Sequence, residues 1–485
     1  MKSSGFVFAS WLAASVASAA PVYQPVPAAP ACPRDGLGNV FAKLDAGQEV
    51  KIAYFGGSIT AAAGWRPKTL QWFQQTWPNA KVSEIHAAIG GTGSDLGVYR
   101  LQQDVLRHKP DLIFVEFAVN DGGTLPEDIW RAMEGIVRQV WRQDPNIDIC
   151  YVYTYRDGYE KDLNQGNNPR AASADEMLAQ HYGIPSINVA LRVAEMLRDG
   201  TMLVRPAKDA DGKPLPPAPG VMLFSSGDGV HPNDEAHGVY RDVIAAALQQ
   251  FRPLSKPGPH QLKEPFIADH WEAARLVPLQ PSMLSGGWSK LLADHRFAKS
   301  FGRLMPEIWE ATQPGESITF RFSGKGVKLY DLVGPDGGQA MVTVDTKTRG
   351  PVPRFDSYCT YHRLQTMTVA ANLEPGVHEV RIEIDPKQPD RTPAAKQEKD
   401  YPNHDPKKYD GTAMRVGALL LLGGNGTLVW AQQRVPSGVA ALLIATVPFW
   451  IVLLDWLWQK GKRPGSRVVG GLSLGFAGII LLLGQ

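Results

Sequence analysis

The sequence predicts an α/β protein: a doubly wound, flavodoxin-like three-layer domain, then a β-sandwich domain, then a C-terminal transmembrane helical hairpin. Three observations carry this. Short apolar strands alternate with helical segments from Val50 to Phe251, the pattern of a parallel sheet covered by helices on both faces. From His260 the period shortens to alternating strands separated by turn residues, the pattern of an antiparallel sandwich. After Gly438 come two long apolar runs.

Length and composition set the frame. A chain of 485 residues has room for several domains, and 44% hydrophobic with 20% charged residues is an ordinary globular balance. The net charge of +2 comes without a basic block, so nucleic acid is not an expected partner. Residues 1–19 have the order of a secretory signal peptide. Lys2 precedes an apolar run over 6–14, and Ala17-Ser18-Ala19 supplies a small-residue cleavage site. Three cysteines, Cys32, Cys150 and Cys359, allow at most one disulfide, and no C-x-x-C pair or zinc spacing occurs. Cys150 sits in an apolar run and is expected to be a buried thiol. Cys32 is not read as a lipid-attachment site, because Ala29-Pro30-Ala31 is a poor lead-in.

Residues 20–47, rich in Pro and Ala, read as a lead-in. The first domain spans 48–252. Its strands are expected over 51–55, 81–89, 112–119, 148–155 and 185–189. Helices are expected over 67–77, 96–108, 126–142, 171–182 and 234–251. Pro67 suits a first helical turn, and Asn233 is the natural N-cap of the last helix. The stretch 204–221 holds five prolines and cannot be regular structure. Lying just before a candidate site loop, it is either a rim of that site or a surface insertion.

Four short motifs fall just after strands or just before the last helix. They are Gly56-Gly57-Ser58-Ile59-Thr60, Gly90-Gly91-Thr92-Gly93, Val119-Asn120-Asp121 and Asp228-Gly229-Val230-His231-Pro232. Ligands of open α/β sheets bind outside the carboxyl ends of the strands, so these segments are expected to converge. The residue types suit acyl transfer. Ser58 is a nucleophile once a base removes its proton. His231 is the candidate base, and Asp228, three residues earlier, can fix its tautomer. The backbone N–H groups of Ser58 and Gly91 and the side-chain amide of Asn120 are candidate oxyanion donors. Asp121 and Glu116 are read as a helix cap or salt-bridge partner. His86, His108, His181 and His237 are read as packing or surface residues.

These four motifs, in this order over residues 36–252, resemble the SGNH/GDSL hydrolase family. Singly each is weak; together and on the right elements they form a specific pattern. The resemblance implies Ser58, Gly91, Asn120 and His231 at the four name-giving positions, with Asp228 completing a triad. It also implies a metal-free, cofactor-free serine esterase, acting on acetyl or other short acyl esters, commonly of carbohydrate. The family often has Gly-Asp-Ser at the first motif, and Gly57 stands here where that Asp would be.

The β-domain is placed at 260–424. Its strands are expected over 317–322, 326–332, 339–344, 365–369, 378–384 and 415–422, with a long loop over 386–410. Trp271, Trp288 and Trp309 either pack in its core or offer a carbohydrate surface. Residues 425–485 hold an apolar run of about 20 residues over 438–457 and a second over 468–484, each about long enough to span a bilayer. The basic loop between them, with Lys460, Lys462, Arg463 and Arg467, is expected on the cytoplasmic side. The stretches 417–424, 430–432, 435–442 and 470–484 resemble the middle of an EamA-type drug/metabolite transporter. Two or three spans are too few for a transport path, so the tail is read as a membrane anchor of an enzyme facing the periplasm or exterior. The alternatives are a non-catalytic carbohydrate-binding protein, or a transporter component whose missing spans come from a partner.

Overall fold

The computed structural model describes residues 21–305 and 307–423. They fall into two compact units that divide between Glu272 and Ala273.

The elements of unit 1 are β1 (Ala31–Cys32), α1 (Gly38–Asp45), β2 (Glu49–Gly56), α2 (Ser58–Ala61), α3 (Trp65–Thr76), β3 (Lys81–His86), α4 (Ser94–Asp104), β4 (Leu112–Glu116), α5 (Pro126–Gln143), β5 (Asp148–Tyr153), α6 (Glu160–Leu163), α7 (Arg170–Tyr182), β6 (Ser186–Asn188), α8 (Val189–Arg198), β7 (Met202–Leu203), β8 (Met222–Leu223) and α9 (Asp234–Phe251). The main sheet runs β1-β6-β5-β4-β2-β3. All but β1 are parallel, and β1 pairs antiparallel with β6 at the edge. Counting only the parallel strands, the order is the doubly wound, flavodoxin-like one. The winding reverses at β2, between β3 and β4, which opens a crevice beyond the carboxyl ends of β2 and β4.

Every residue of β4 and β5 is buried, as helices on both faces require. Helix α5 starts at Pro126, with Glu127 and Asp128 in its first turn, and both features favour a helix start. It buries Ile129, Met133, Ile136, Val137 and Val140 on one stripe. The Asn233 side chain accepts the Ala236 N–H at 2.9 Å and so caps α9. Gly183, at φ +75°, ends α7 in the left-handed conformation.

The lead-in 20–47 is more ordered than its composition suggests. Ala31 and Cys32 pair with Ile187 and Ser186, and α1 buries Val40, Phe41 and Leu44. Helix α8 also escaped the pattern reading. Its signal is present, since the Asn188 side chain accepts the Leu191 N–H at 3.0 Å and Val189, Ala190, Val193 and Ala194 form a buried stripe. The stretch 204–221 is irregular apart from one bridge between Lys208 and Pro214, and the parallel pair β7 and β8 brackets it.

Residues 260–272, which the change of period assigns to the β-domain, pack on unit 1. The reason is Glu134, which is fully buried. It accepts the N–H groups of Phe266 at 2.6 Å and Ile267 at 2.8 Å, because a buried carboxylate must find donors.

Unit 2 contains β9 (Ala274–Pro278), β10 (Leu284–Ser285), β11 (Ser289–Lys290), α10 (Arg296–Phe301), β12 (Trp309–Ala311), β13 (Ser317–Gly324), β14 (Gly326–Val333), β15 (Gln339–Val344), β16 (Lys347–Pro353), β17 (Arg363–Ala370), β18 (Gly376–Ile384), α11 (Thr392–Ala395) and β19 (Met414–Leu422). Two sheets form, β10-β13-β18-β15-β16 and β11-β12-β19-β14-β17, with β9 also pairing to β19. Inward residues of both sheets, among them Phe320, Ile382, Leu329 and Leu419, share one apolar core, the arrangement of a sandwich. Trp288 and Trp309 pack against that core, and Trp271 lies in unit 1 beside Tyr99. The run 386–410 is not wholly loop: Ala394, Ala395 and Tyr409 make a small cluster with Phe355 and Cys359.

All three cysteines are free thiols, and full burial pushes the Cys150 thiol well up. The leader 1–19 and the apolar runs 438–457 and 468–484 lie outside the described residues. Among the described residues no helix is long and apolar enough to cross a membrane.

Candidate active site

The first motif leaves the carboxyl end of β2, the strand at which the winding reverses. Gly57 is the N-cap of α2 and Ser58 its first residue. Gly57 donates its N–H to the Glu116 carbonyl at 3.2 Å, at the end of β4. A Cβ on Gly57 would lie 1.9 Å from Asn120 Oδ1, so a side chain there requires the Asn120 amide to move. The Asn120 side chain thus lies directly against Gly57.

The second motif follows β3. The Ile89 N–H bonds to the Gly56 carbonyl at 3.0 Å, and Thr92 Oγ1 donates to the Ile89 carbonyl at 2.8 Å. This pins the Gly90-Gly91 turn beside β2, and a Cβ on Gly90 would lie 3.5 Å from that of Ser58. Gly91 is at φ +73°, where glycine is favoured. The third motif forms a 3-10 turn over Asn120–Gly123.

The fourth motif is held by its own backbone. Asp228 Oδ1 accepts the N–H groups of Val230 at 2.8 Å and His231 at 2.9 Å. Asp228 Oδ2 lies 2.6 Å from His231 Nδ1, and His231 Nε2 lies 2.7 Å from Ser58 Oγ. Two segments 173 residues apart in sequence are thereby joined in one hydrogen-bonded chain. Desolvation acts to raise the Asp228 pKa, but the bonds from His231 and Val230 outweigh it and hold the carboxyl at about 2. Asp228 is therefore ionised across the neutral range and available to an imidazolium.

Beneath the motifs lie two buried acids. Glu116 accepts the hydroxyls of Thr60 at 2.7 Å and Thr154 at 2.8 Å. Asp121 accepts the Ser94 N–H at 3.1 Å, at the first turn of α4, so it serves as a helix cap. Burial pushes both carboxyls up to about 7. His237 is a packing residue: its Nδ1 accepts the Trp65 N–H at 3.2 Å, and burial lowers its pKa to about 4. His181 Nε2 bonds to the Glu264 carbonyl at 2.8 Å. Among the described residues no three His, Cys, Asp or Glu side chains group in a way suited to a metal ion.

Arg205 is a residue the motif reading missed. It comes from the proline-rich stretch 204–221 and donates to the carbonyls of Gly227 at 2.8 Å and Asp228 at 3.1 Å. It also pairs with Asp157 at 2.6 Å, and Asp157 donates its N–H to the Gly229 carbonyl at 2.7 Å. The stretch thus touches the Asp228 loop directly. Backbone carbonyls leave no mark in a sequence, so only the proximity of Arg205 to the fourth motif hinted at it.

The four motif loops thus gather at the switch point of the sheet, where open α/β folds bind their ligands. Residues 54–239 match the model of the GDSL-like Lipase/Acylhydrolase family, so this part of the chain is a GDSL-type domain, a hydrolase of ester bonds. Residues 395–484 match the model of the EamA-like transporter family. A two-domain esterase active on acetylated mannans, co-crystallized with mannopentaose, is 21% identical over 80% of this chain and 94% of its own, with TM-score 0.59. At that identity the likeness bears on the fold, and it reaches beyond unit 1. The uncharacterized inner membrane transporter YedA of Escherichia coli (strain K12) is 42% identical over 71 residues, 14% of this chain and 22% of YedA. The uncharacterized lipoprotein YqeF of Bacillus subtilis (strain 168) is 33% identical over 82 residues, 16% of this chain and 34% of YqeF. The chain thus spans about a fifth of YedA and a third of YqeF.

Proposed function

We propose that the protein is a serine esterase that removes acetyl or other short acyl groups from carbohydrate. The observation that carries this reading is the chain Ser58 Oγ to His231 Nε2 at 2.7 Å and His231 Nδ1 to Asp228 Oδ2 at 2.6 Å. Ser58 Oγ gives its proton to His231 Nε2 and attacks the ester carbonyl carbon. The N–H groups of Ser58 and Gly91 and the amide of Asn120 receive the developing oxyanion. Collapse breaks the bond to the sugar oxygen, which leaves with the proton from the imidazolium. Water then attacks the acyl-serine, giving one proton to Nε2, and the carboxylic acid departs as Ser58 regains its proton. The likeness to an esterase active on acetylated mannans supports a sugar as the alcohol. The test is covalent labelling of the full-length protein with a fluorophosphonate, followed by peptide mapping. The adduct is expected on Ser58, and labelling of another serine, or of none, would overturn the assignment.

The EamA-like match over 395–484 supports a second element of the reading: the tail tethers the enzyme to a membrane, with the esterase facing the periplasm or exterior. Cell fractionation is expected to leave the full-length protein in the membrane pellet after a carbonate wash. Recovery in the wash would remove the tether.

A further inference from the structure

The segment after β5, residues 156–159, lies between two of the motif loops. On one side Asp157 bonds to Gly229 and to Arg205, both at the Asp228 loop. On the other, the Tyr159 hydroxyl reaches the Ala118 carbonyl at 3.4 Å, just before the Asn120 turn. Arg156 stands at this wedge. It is exposed, and its guanidinium sits 5.7 Å from the centre of the Tyr159 ring.

Arg156 points toward the same spot as a second arginine. A Cβ on Gly122, two residues beyond Asn120, would lie 3.6 Å from Arg156 Nη1. Arg170, exposed at the start of α7, donates from Nη2 to the Gly122 carbonyl at 2.8 Å. Among the described residues Arg170 bonds to the Gly122 carbonyl and Arg156 lies by the Tyr159 ring, and neither forms an ion pair with a carboxylate. The nearby acids are engaged elsewhere. Asp157 is held by Arg205. Glu160 accepts the Tyr155 hydroxyl at 2.7 Å and the Gly158 N–H at 3.0 Å. Asp228 serves His231. Two planar guanidinium forks thus flank Gly122 with unspent N–H donors, beside the turn that carries a candidate oxyanion donor.

We infer that Arg156 and Arg170 form an anion subsite at the rim of the cleft, and that it takes the carboxylate of a uronic acid unit next to the acylated sugar. The planar fork of arginine matches a carboxylate in two-point contact, and the subsite rests on the esterase reading above. The preferred substrate class is then an acetylated, uronate-bearing polysaccharide rather than a neutral one.

The experiment compares kcat/KM of the full-length protein on O-acetylated oligogalacturonate and on neutral O-acetylated mannan oligosaccharide. The uronate ester is expected to be favoured roughly five-fold at low salt, a modest factor because exposed charge contacts are weak. The preference is expected to shrink as salt rises from about 20 mM to about 500 mM and the screening length falls. The double variant R156A/R170A is expected to bring the ratio to about one, and R156K/R170K to keep part of it, with unchanged melting temperatures. Cleavage of the mannan ester with no uronate preference, or a preference that survives R156A/R170A, overturns the subsite alone. Failure of the wild type on both substrates and on 4-nitrophenyl acetate overturns the esterase reading and the subsite with it.

Discussion

Ser58→Ala and His231→Ala are each expected to lower kcat for 4-nitrophenyl acetate by about a million-fold, and the double variant no further, because nucleophile and base act as one unit. The geometry gives the reason. His231 Nε2 is 2.7 Å from Ser58 Oγ, so neither group has a substitute within the same bond. Asp228→Asn is expected to cost about ten thousand-fold, since an amide there no longer fixes the imidazole tautomer. Steady-state kinetics with all four variants decides the matter. Additive losses in the double variant, or a Ser58→Ala protein with substantial turnover, would remove Ser58 and His231 from the reaction.

Gly57→Asp is expected to lower kcat by about a hundred- to a thousand-fold, the effect of losing one oxyanion donor. The change would restore the Gly-Asp-Ser order common in similar enzymes, yet here it harms. Its Cβ would lie 1.9 Å from Asn120 Oδ1. That atom belongs to an amide on a short 3-10 turn, so the amide itself must move. Asn120→Ala is expected to show a similar loss, with KM little changed, and the double variant to be no worse than either single one. Measured kcat and KM for the three variants test this. A fully active Gly57→Asp enzyme would show that Asn120 does not act from its present position.

The sequence makes most of this architecture legible, for physical reasons that differ by element. Strands β4 and β5 are buried on both faces because helices cover both, which is why they read as near-continuous apolar runs. Helices α5 and α9 announce their starts with Pro126 and Asn233. Helix α1 does not, since its N-cap, Leu37, offers no side-chain bond. Residues 260–272 were hidden because their partner, Glu134, is more than a hundred residues away in sequence. In the site, Ser58, Asp228 and His231 could be named from residue type and motif order. The contact between Gly57 and Asn120 and the grip of Arg205 on the Asp228 loop are tertiary facts. The same holds for Glu116, whose buried carboxyl is met by Thr60 and Thr154 from two different segments.

Strand β19 has a consequence for biosynthesis. It is the last strand of unit 2 in the chain, yet it occupies the middle of its sheet, pairing with β14 on one side and with β12 and β9 on the other. Domains otherwise tend to fold as they leave the ribosome, amino end first. Here the earlier strands of that sheet emerge with an open slot and exposed apolar edges. They can only wait until the residues up to 422 arrive to fill the slot. Unit 2 is therefore completed only by its final strand, which lies inside the stretch 395–484 that matches the EamA-like model, so a chain cut short before residue 414 would leave that sheet open at its centre.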